Sequence, residues 1–214
     1  MLTDRDLEMI KFTNIYGRTF LPVLGRTFFP SEKIARDRIA KLVRQKIVRY
    51  IDTDRVKIGR AVVLTHETQK YLVDIGLEPK KVNSGWTTIN HNIIEQTAHY
   101  WLSKLGEVER TSVAKHGAKM EHVPDMILTL PSGGRVFVEV ETSRKARGRY
   151  DGIFEKIRKE DPAVVLYVLP KEKQIQSFAK FLPEYERVRV IDIDTLIENV
   201  KTTGKVSAKF QHEF

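Results

Sequence analysis

The sequence contains no cysteine among its 214 residues. Disulfide bonds, thiolate zinc sites and cysteine nucleophiles are therefore excluded, and this composition suits a reducing compartment. The first residues lack the basic segment followed by an apolar one that marks a signal peptide, and no apolar run approaches the ~20 residues needed to cross a bilayer. We therefore predict a cytoplasmic protein that has no membrane partner.

Acidic residues are fewer than basic ones. Lysine and arginine total 37 against 28 for aspartate and glutamate, which gives a formal charge of +9. Such a balance favours a polyanionic partner, and nucleic acid is the leading candidate. A solvated basic surface without a partner is the alternative, because a basic composition alone does not identify a ligand. The 41% hydrophobic content is sufficient for an ordinary folded core.

The first part of the chain predicts three helices followed by a β-hairpin. Thr3 is placed to cap the first helix, Ser31 to cap the third, and Gly76 to end a fourth helix that follows the hairpin. This order is that of a winged helix-turn-helix, in which the third helix enters the DNA major groove. We therefore predict a DNA-binding domain over residues 1–82, followed by a linker over residues 83–90.

The third predicted helix is amphipathic. Ile34, Ile39, Leu42 and Val43 form its expected apolar stripe. The opposite face is basic and is expected to contact phosphates and base edges; its residues are Lys33, Arg36, Arg38, Lys41 and Arg44. The alternative is a helix whose solvent face is rich in lysine and arginine for other reasons, including contact with a protein.

Residues 91–202 predict a second domain, with a tail over residues 203–214. The elements are expected in the order αβββαβ with an added αβ unit. A continuous apolar run at residues 163–169 is typical of a strand that is buried on both faces of a mixed or parallel sheet. The predicted fold class is therefore α/β (α+β), an N-terminal winged helix-turn-helix followed by an αβββαβ core with a mixed sheet.

The segment VPDMILTLPSGGRVFVEVETSRK concentrates carboxylates in one predicted hairpin. Strand alternation places Glu139 and Glu141 on the same face. Asp125 lies directly opposite Glu139 only if the loop within LPSGG has an odd number of residues, which we predict. Opposed carboxylates require a proton, a lysine or a divalent cation, and Mg²⁺ or Mn²⁺ suits two carboxylates with water and a phosphate. The alternative is a hairpin with a charged, solvated face.

These residues resemble a known superfamily. Pro124-Asp125 followed by Glu139-Val140-Glu141, preceded by a helix that bears Glu95, resembles the PD-(D/E)xK nucleases of restriction-endonuclease-like fold. With Thr142-Ser143 and Lys156 added, the chain resembles more specifically the replication-relaxation family and the related plasmid relaxases of the MobC and TraX type. The resemblance spans about residues 3 to 170. It implies a metal-dependent, site-specific DNA endonuclease or relaxase that nicks at a transfer or replication origin of a plasmid or mobile element.

The resemblance also implies roles for single residues. Asp125 and Glu139 would hold Mg²⁺ or Mn²⁺, with Glu95 as a further ligand. Glu95 or Glu141 would assist the reaction from beside them. Glu141 occupies the position where the superfamily usually has its catalytic lysine. Lys145 or Lys156 is therefore expected to supply that charge.

Residues beside the predicted site would hold the DNA backbone, namely Arg144, Arg147 and Arg149. The implied partners are double-stranded DNA at a plasmid transfer origin and relaxosome or coupling proteins, and a homodimer is left open. Tyr150 begins the next helix and is the tyrosine best placed for a nucleophilic mechanism, although a packing role is favoured. If no lysine reaches the acids, the chain would be a non-catalytic DNA-binding accessory factor or a transcriptional repressor.

Overall fold

The computed structural model describes residues 2–53, 60–82, 88–112, 116–117, 119–143, 145–183 and 185–206. The chain divides into two compact units, residues 1–96 and 97–214. The division lies within a helix, after the segment 83–90 that the sequence predicts as a linker. In the described part of the chain, no helix combines the length and the apolar character needed to span a bilayer.

The described residues of the N-terminal unit form four complete helices and a small antiparallel sheet. Its first and second strands each pair with the third, and Thr19 of the first and Tyr50 of the second both lie opposite Val62 of the third. Residues 54–59 of the predicted hairpin lie outside the described residues. The elements are α1 (Asp4–Tyr16), β1 (Thr19–Phe20), α2 (Leu21–Arg26), α3 (Glu32–Arg44), β2 (Val48–Asp52), β3 (Arg60–Leu64) and α4 (His66–Asp74).

Local capping signals place these helices as the sequence predicts. The Thr3 backbone N–H donates to Asp6 at 2.7 Å, and the Thr3 hydroxyl accepts from the Asp6 backbone at 3.3 Å, which completes a capping box. The Ser31 hydroxyl accepts from the Ile34 backbone N–H at 3.3 Å. Gly76 follows α4 with φ of +80°, a conformation that glycine adopts without steric cost. The predicted start points of α1 and α3 are confirmed.

The apolar stripe of α3 differs from the prediction at one position. Ala35, Ile39 and Leu42 are buried, whereas Ile34 is 46% exposed. Spacings of four and three residues bring Ala35, Ile39 and Leu42 onto one face, and Ile34 lies about 100° away around the helix axis. Ile34 therefore lies beside the buried stripe of the helix and does not belong to it.

The second unit contains a five-stranded mixed sheet whose strands lie side by side in chain order. The first three strands are antiparallel neighbours, and the last two run parallel to the third. The described residues form eight α-helices in all, so the α/β class with a mixed sheet is confirmed. The elements are α5 (Ile89–Leu102), which crosses the division, β4 (Glu107–Arg110), β5 (Met126–Thr129), β6 (Arg135–Val140), α6 (Arg147–Glu160), β7 (Val164–Leu169), a 3₁₀ turn (Glu172–Gln174), α7 (Ile175–Ala179), β8 (Val188–Asp192) and α8 (Ile193–Thr203).

The face of this sheet that carries Glu139 is covered by α6 and α7. Glu139 lies beside Tyr167 of the parallel strand β7. Tyr167 belongs to a buried cluster with Tyr150 and Phe154 of α6 and Phe178 of α7. The strand β7 is buried from Val165 to Leu169, as its continuous apolar sequence predicts. Glu139 therefore occurs at the margin of a hydrophobic core.

The hairpin of β5 and β6 has the predicted parity. Met126 pairs with Val138 and Thr129 pairs with Arg135, which leaves a loop of five residues, 130–134. Gly133 has φ of +83°, and the Leu130 backbone N–H donates to the Gly134 carbonyl at 2.9 Å. Continuing this register by one residue places Asp125 opposite Glu139. The odd loop length is confirmed.

Candidate active site

Asp125 precedes β5 and reaches across to β6. Its Oδ2 accepts a hydrogen bond from the Val140 backbone N–H at 2.8 Å. The Asp125 carbonyl accepts from the Thr111 backbone N–H at 3.1 Å. Contacts on both sides thus fix the aspartate between Thr111, which follows β4, and Val140 at the end of β6.

Glu139 is a largely buried carboxylate beside a second carboxylate. Its side chain is 15% exposed, and its Oε1 lies 2.5 Å from Nε2 of His122. Burial raises the pKa of Glu139; the hydrogen bond with His122 opposes this effect and the charge of Asp125 adds to it. The positive charge of Lys145 also lowers the pKa of Glu139. Asp125, His122 and Lys145 therefore all act on one carboxylate.

Glu141 is paired with a lysine. It is only 7% exposed, and its Oε2 accepts a hydrogen bond from the Tyr150 hydroxyl at 3.1 Å. The same oxygen forms an ion pair with Lys145 Nζ. The Lys145 backbone N–H donates to the Tyr150 hydroxyl at 3.1 Å, which ties the three residues together. Of the two candidate lysines, Lys145 is the one for which the structure gives an ion pair with the acidic strand.

Two tyrosines form the buried floor of this site. Tyr150 is fully buried and its hydroxyl is used by Glu141 and Lys145, so its role is structural. Tyr167 is 1% exposed. Burial raises the pKa of Tyr167 well above its usual value, and Glu139, Glu141 and Asp125 add to that increase. The three predicted carboxylates of the hairpin thus act on a single phenol, which supports their convergence.

His122 was missed by the sequence reading. It belongs to the segment before β5, in HVPD, where no helical or strand periodicity marks a side chain as facing a site. Its side chain is 13% exposed and reaches Glu139, which is 17 residues further along the chain. The only available signal was the position of a histidine three residues before Asp125.

Lys156 lies in a cleft next to the carboxylates. This cleft has a volume of about 530 Å³, and its lining includes Lys156, Arg149 and His122. Arg147 begins α6 and is exposed, as is Arg149. Arg144 lies outside the described residues. The structure therefore assigns Lys145 to the acids and Lys156 to the neighbouring cleft.

Glu95 is buried on α5, with its Oε2 3.8 Å from Nε2 of His91. Its role as a metal ligand stays a prediction. Burial and the charge of Arg110 lower the pKa of His99 to about 4, so this histidine is neutral at neutral pH. Over the described ranges, no cluster of three or more histidine, aspartate or glutamate side chains is arranged to hold one cation. The candidate metal ligands are thus the carboxylate pair Asp125 and Glu139.

Arg38 is a correction to the predicted DNA-binding face of α3. Its side chain is 23% exposed, its Nε donates to Asp6 Oδ1 at 2.9 Å, and its second nitrogen pairs with Asp6 Oδ2. A two-point contact of this kind uses the guanidinium fork, so Arg38 holds α3 against α1. The other predicted residues of this face are exposed, namely Lys33, Arg36, Lys41 and Arg44.

The exposed face of α3 adjoins the strands of the small sheet. Burial raises the pKa of Tyr50, and the charges of Arg60 on β3 and Arg36 on α3 oppose this effect. The Arg60 guanidinium lies 5.4 Å from the centre of the Tyr50 ring. Arg49 on β2 is exposed as well and was not among the predicted residues. Arg36 of the helix and Arg60 of β3 therefore both lie near Tyr50, whereas alternation along β2 directs Arg49 to the other face of the sheet.

Comparison with known proteins supplies no relative for this chain. No family model matches it, and no curated protein or solved structure matches it. The resemblance to the replication-relaxation family depends on short motifs and stays a prediction.

Proposed function

We propose that the protein is a DNA endonuclease of the relaxase type that acts with Mg²⁺ or Mn²⁺ at a specific site of a plasmid or mobile element. The convergence of Asp125, Glu139 and Lys145 at one end of the β5–β6 hairpin carries this proposal. Two carboxylates and a lysine beside them are the groups that metal-assisted phosphodiester cleavage requires. A basic surface in the other unit supplies the means to bind duplex DNA.

The carboxylate pair fits a hard divalent cation. Burial raises the pKa of Glu139, and so does the nearby charge of Asp125, so the ionised pair is unfavourable without a compensating positive charge. Mg²⁺ and Mn²⁺ accept carboxylate oxygens together with water and phosphate oxygens. Asp125 and Glu139 would hold the ion, and Glu95 is the predicted additional ligand. When bound, such an ion polarises the scissile phosphate and lowers the pKa of an attacking water.

The remaining residues orient these groups. Lys145 would stabilise negative charge on the phosphate oxygens, and Glu141 with Tyr150 holds the lysine at the site. His122 holds the Glu139 carboxylate through a hydrogen bond. The predicted phosphate contacts beside the site are Arg144, Arg147 and Arg149.

The N-terminal unit would recognise the DNA. Its element order of α1, β1, α2, α3, β2 and β3 is the order expected of a winged helix, with α3 as the recognition helix. The exposed cations on this helix are suited to phosphate contact and guanine readout, and they are Lys33, Arg36, Lys41 and Arg44. A duplex bound here would bring the cleavage unit, which is part of the same chain, to a defined DNA site.

A second candidate function is that of a non-catalytic DNA-binding accessory factor or repressor. Glu141 stands at the usual position of the catalytic lysine and forms an ion pair with Lys145. The charge that should act on the phosphate is thereby partly neutralised. This observation favours a core that has lost its chemistry while keeping its fold.

A nicking assay separates the two candidates. The substrate is a supercoiled plasmid that carries a binding site selected from random DNA, incubated with Mg²⁺ or Mn²⁺. Nicked circles that are lost in Asp125→Asn and Glu139→Gln support the endonuclease. Tight, site-dependent binding without nicking in either metal would leave the accessory factor as the function.

A further inference from the structure

The cleft beside the carboxylates is formed on one side by a single face of α6. Arg149, Gly152, Ile153 and Lys156 line it, at the spacing i, i+3, i+4 and i+7 that places side chains on one face of a helix. The other lining residues precede β5 in the chain, and they are Gly117, Met120, Glu121, His122 and Val123. The cleft volume of about 530 Å³ lies within the range of small-ligand pockets.

Two cations on α6 mark the cleft as an anion site. Arg149 and Lys156 are separated by seven residues, which is about 10 Å along the helix axis. Within the described part of the chain, neither side chain has a hydrogen bond or an ion pair. The one acid in the lining is Glu121, whose Oε1 lies 3.6 Å from Lys159. The cleft therefore presents an excess of positive charge to a ligand.

The space between these cations is apolar and open. Gly152 lies between them on the helix, and a Cβ added at this position would meet no atom within 4 Å. Ile153, Met120 and Val123 supply apolar surface in the same cleft. Apolar side chains of this kind pack against the faces of an unstacked base. Cations on either side of an apolar space match a nucleotide and its flanking phosphates.

His122 connects the cleft to the carboxylates. The residue lines the cleft, and its Nε2 lies 2.5 Å from Glu139 Oε1. We propose that the cleft binds one unpaired nucleotide of a DNA strand, next to the phosphodiester that is cut. The position of the cut rests on the proposed nuclease function, whereas the binding of an unpaired nucleotide does not. The volume suits one nucleotide rather than a stacked duplex.

Filling the cleft tests this proposal. Gly152→Leu places a side chain in the open space between the cations. Gly148→Leu is a matched control, because Gly148 lies on the same helix, has the same open surroundings at Cβ and is not among the cleft residues. Each variant removes a helical glycine, so thermal unfolding should show no loss of stability in either.

The measurement is fluorescence anisotropy with labelled octathymidylate and with an octamer of the same backbone that lacks bases. We expect Gly152→Leu to weaken octathymidylate binding about ten- to hundredfold, which is the loss expected for one base contact. Gly148→Leu should leave binding within about twofold of the unmodified protein, since Gly148 lies one helical turn before Gly152 and does not line the cleft. The octamer without bases should bind more weakly and respond less to Gly152→Leu.

Three results would overturn the proposal. The first is that octathymidylate does not bind, and the second is that Gly152→Leu and Gly148→Leu bind it equally well. The third is that Gly152→Leu loses the same affinity for both octamers, which would indicate that the cleft contacts phosphates alone. The nicking assay is read separately. If octathymidylate binding depends on Gly152 but the protein does not nick DNA, the nucleotide-binding cleft is supported and the nuclease function is contradicted. If the protein nicks DNA but octathymidylate binding does not change in Gly152→Leu, the nuclease function is supported and the nucleotide-binding cleft is contradicted.

Discussion

Asp6 in the first unit and Glu139 in the second are both largely buried carboxylates near cations, and their surroundings affect their pKa values in opposite ways. Burial alone would raise the pKa of Asp6, but hydrogen bonds from Arg38 and Thr3 lower it to about 2. Burial raises the pKa of Glu139, and Asp125 adds to the increase although His122 and Lys145 oppose it. The hydrogen bonds to Asp6 together outweigh the effect of burial on its pKa, as expected of a structural carboxylate. The ionised form of Glu139 remains unfavourable, because burial and Asp125 outweigh His122 and Lys145. Carboxylates of this kind are typical of functional sites.

Neutralising Asp125 or Glu139 should cause the largest loss of nicking activity. Asp125→Asn and Glu139→Gln remove the charges that would hold the cation, and nicking should fall by about 10²–10³-fold or more. The stability of Glu139→Gln should equal or exceed that of the unmodified protein, since an unfavourable charge is removed. Nicking rates and thermal unfolding are the measurements.

The exposed Glu155 on α6 provides the matched control. Glu155→Gln makes the same chemical change away from the hairpin and should leave the nicking rate unaltered. An equal loss of activity in the control would show that the assay does not report on the carboxylate pair.

Replacing Lys145 and Lys156 one at a time should distinguish their roles. Lys145→Met removes the cation that pairs with Glu141 and acts on Glu139, so kcat should fall about 10²-fold. Lys156→Met removes a cleft cation and should raise KM more than it lowers kcat. Steady-state nicking kinetics measure both. A larger loss of kcat in Lys156→Met would assign the catalytic charge to Lys156 instead.

Breaking the Asp6–Arg38 pair should affect stability and leave chemistry unchanged. The pKa of Asp6 is lowered from 3.8 to about 2, and at about 1.4 kcal/mol per unit its charged form contributes about 2–3 kcal/mol to unfolding free energy. Asp6→Asn should lose about this amount at neutral pH, measured by urea unfolding. Arg38→Met should also be destabilised, and the folded variant should keep its DNA affinity.

The two carboxylates should also differ in how pH changes stability. The pKa of Asp6 is lowered on folding, so its contribution is present above about pH 3.8 and is lost as the pH falls towards 2. The pKa of Glu139 is raised, so its contribution is present at low pH and is lost as the pH rises through the folded pKa. Urea unfolding across pH should therefore show Asp6→Asn approaching the unmodified protein in acid. Glu139→Gln should gain relative stability as the pH rises.

Reversing charges on α3 should have a smaller effect, on DNA affinity. Arg36→Glu with Arg44→Glu removes two exposed cations, and duplex binding should weaken at least about tenfold with a shallower dependence on salt. Titrations at several salt concentrations measure both changes. Unaltered affinity would contradict a role for this helix in DNA binding and leave its basic face as a solvated surface.

Local patterns predicted much of the fold. The capping residues Thr3 and Ser31 placed two helices, and the parity of the loop at 130–134 placed Asp125 opposite Glu139. These features depend on hydrogen bonds and alternation within a few residues of the chain. The predicted acids of the hairpin could therefore be assigned to one face before the structure was known.

The sequence-based predictions were wrong or incomplete where a distant part of the chain determines what surrounds a side chain. Helical spacing put Arg38 on the basic face, but Asp6 of another helix takes its guanidinium. His122 has no periodicity that points to Glu139, 17 residues away. The choice between Lys145 and Lys156 depended on where Tyr150 and the cleft lie.

The sequence by itself determined the α/β class, the helix starts and the pairing of Asp125 with Glu139, since helix caps and strand alternation act over a few residues. Only the tertiary structure decided which cation meets which acid. Long charged side chains reach partners on other elements, and their pKa values depend on burial that the fold creates. For this reason the carboxylates could be predicted from the sequence, whereas the contact with His122 and the choice of Lys145 over Lys156 required the structure.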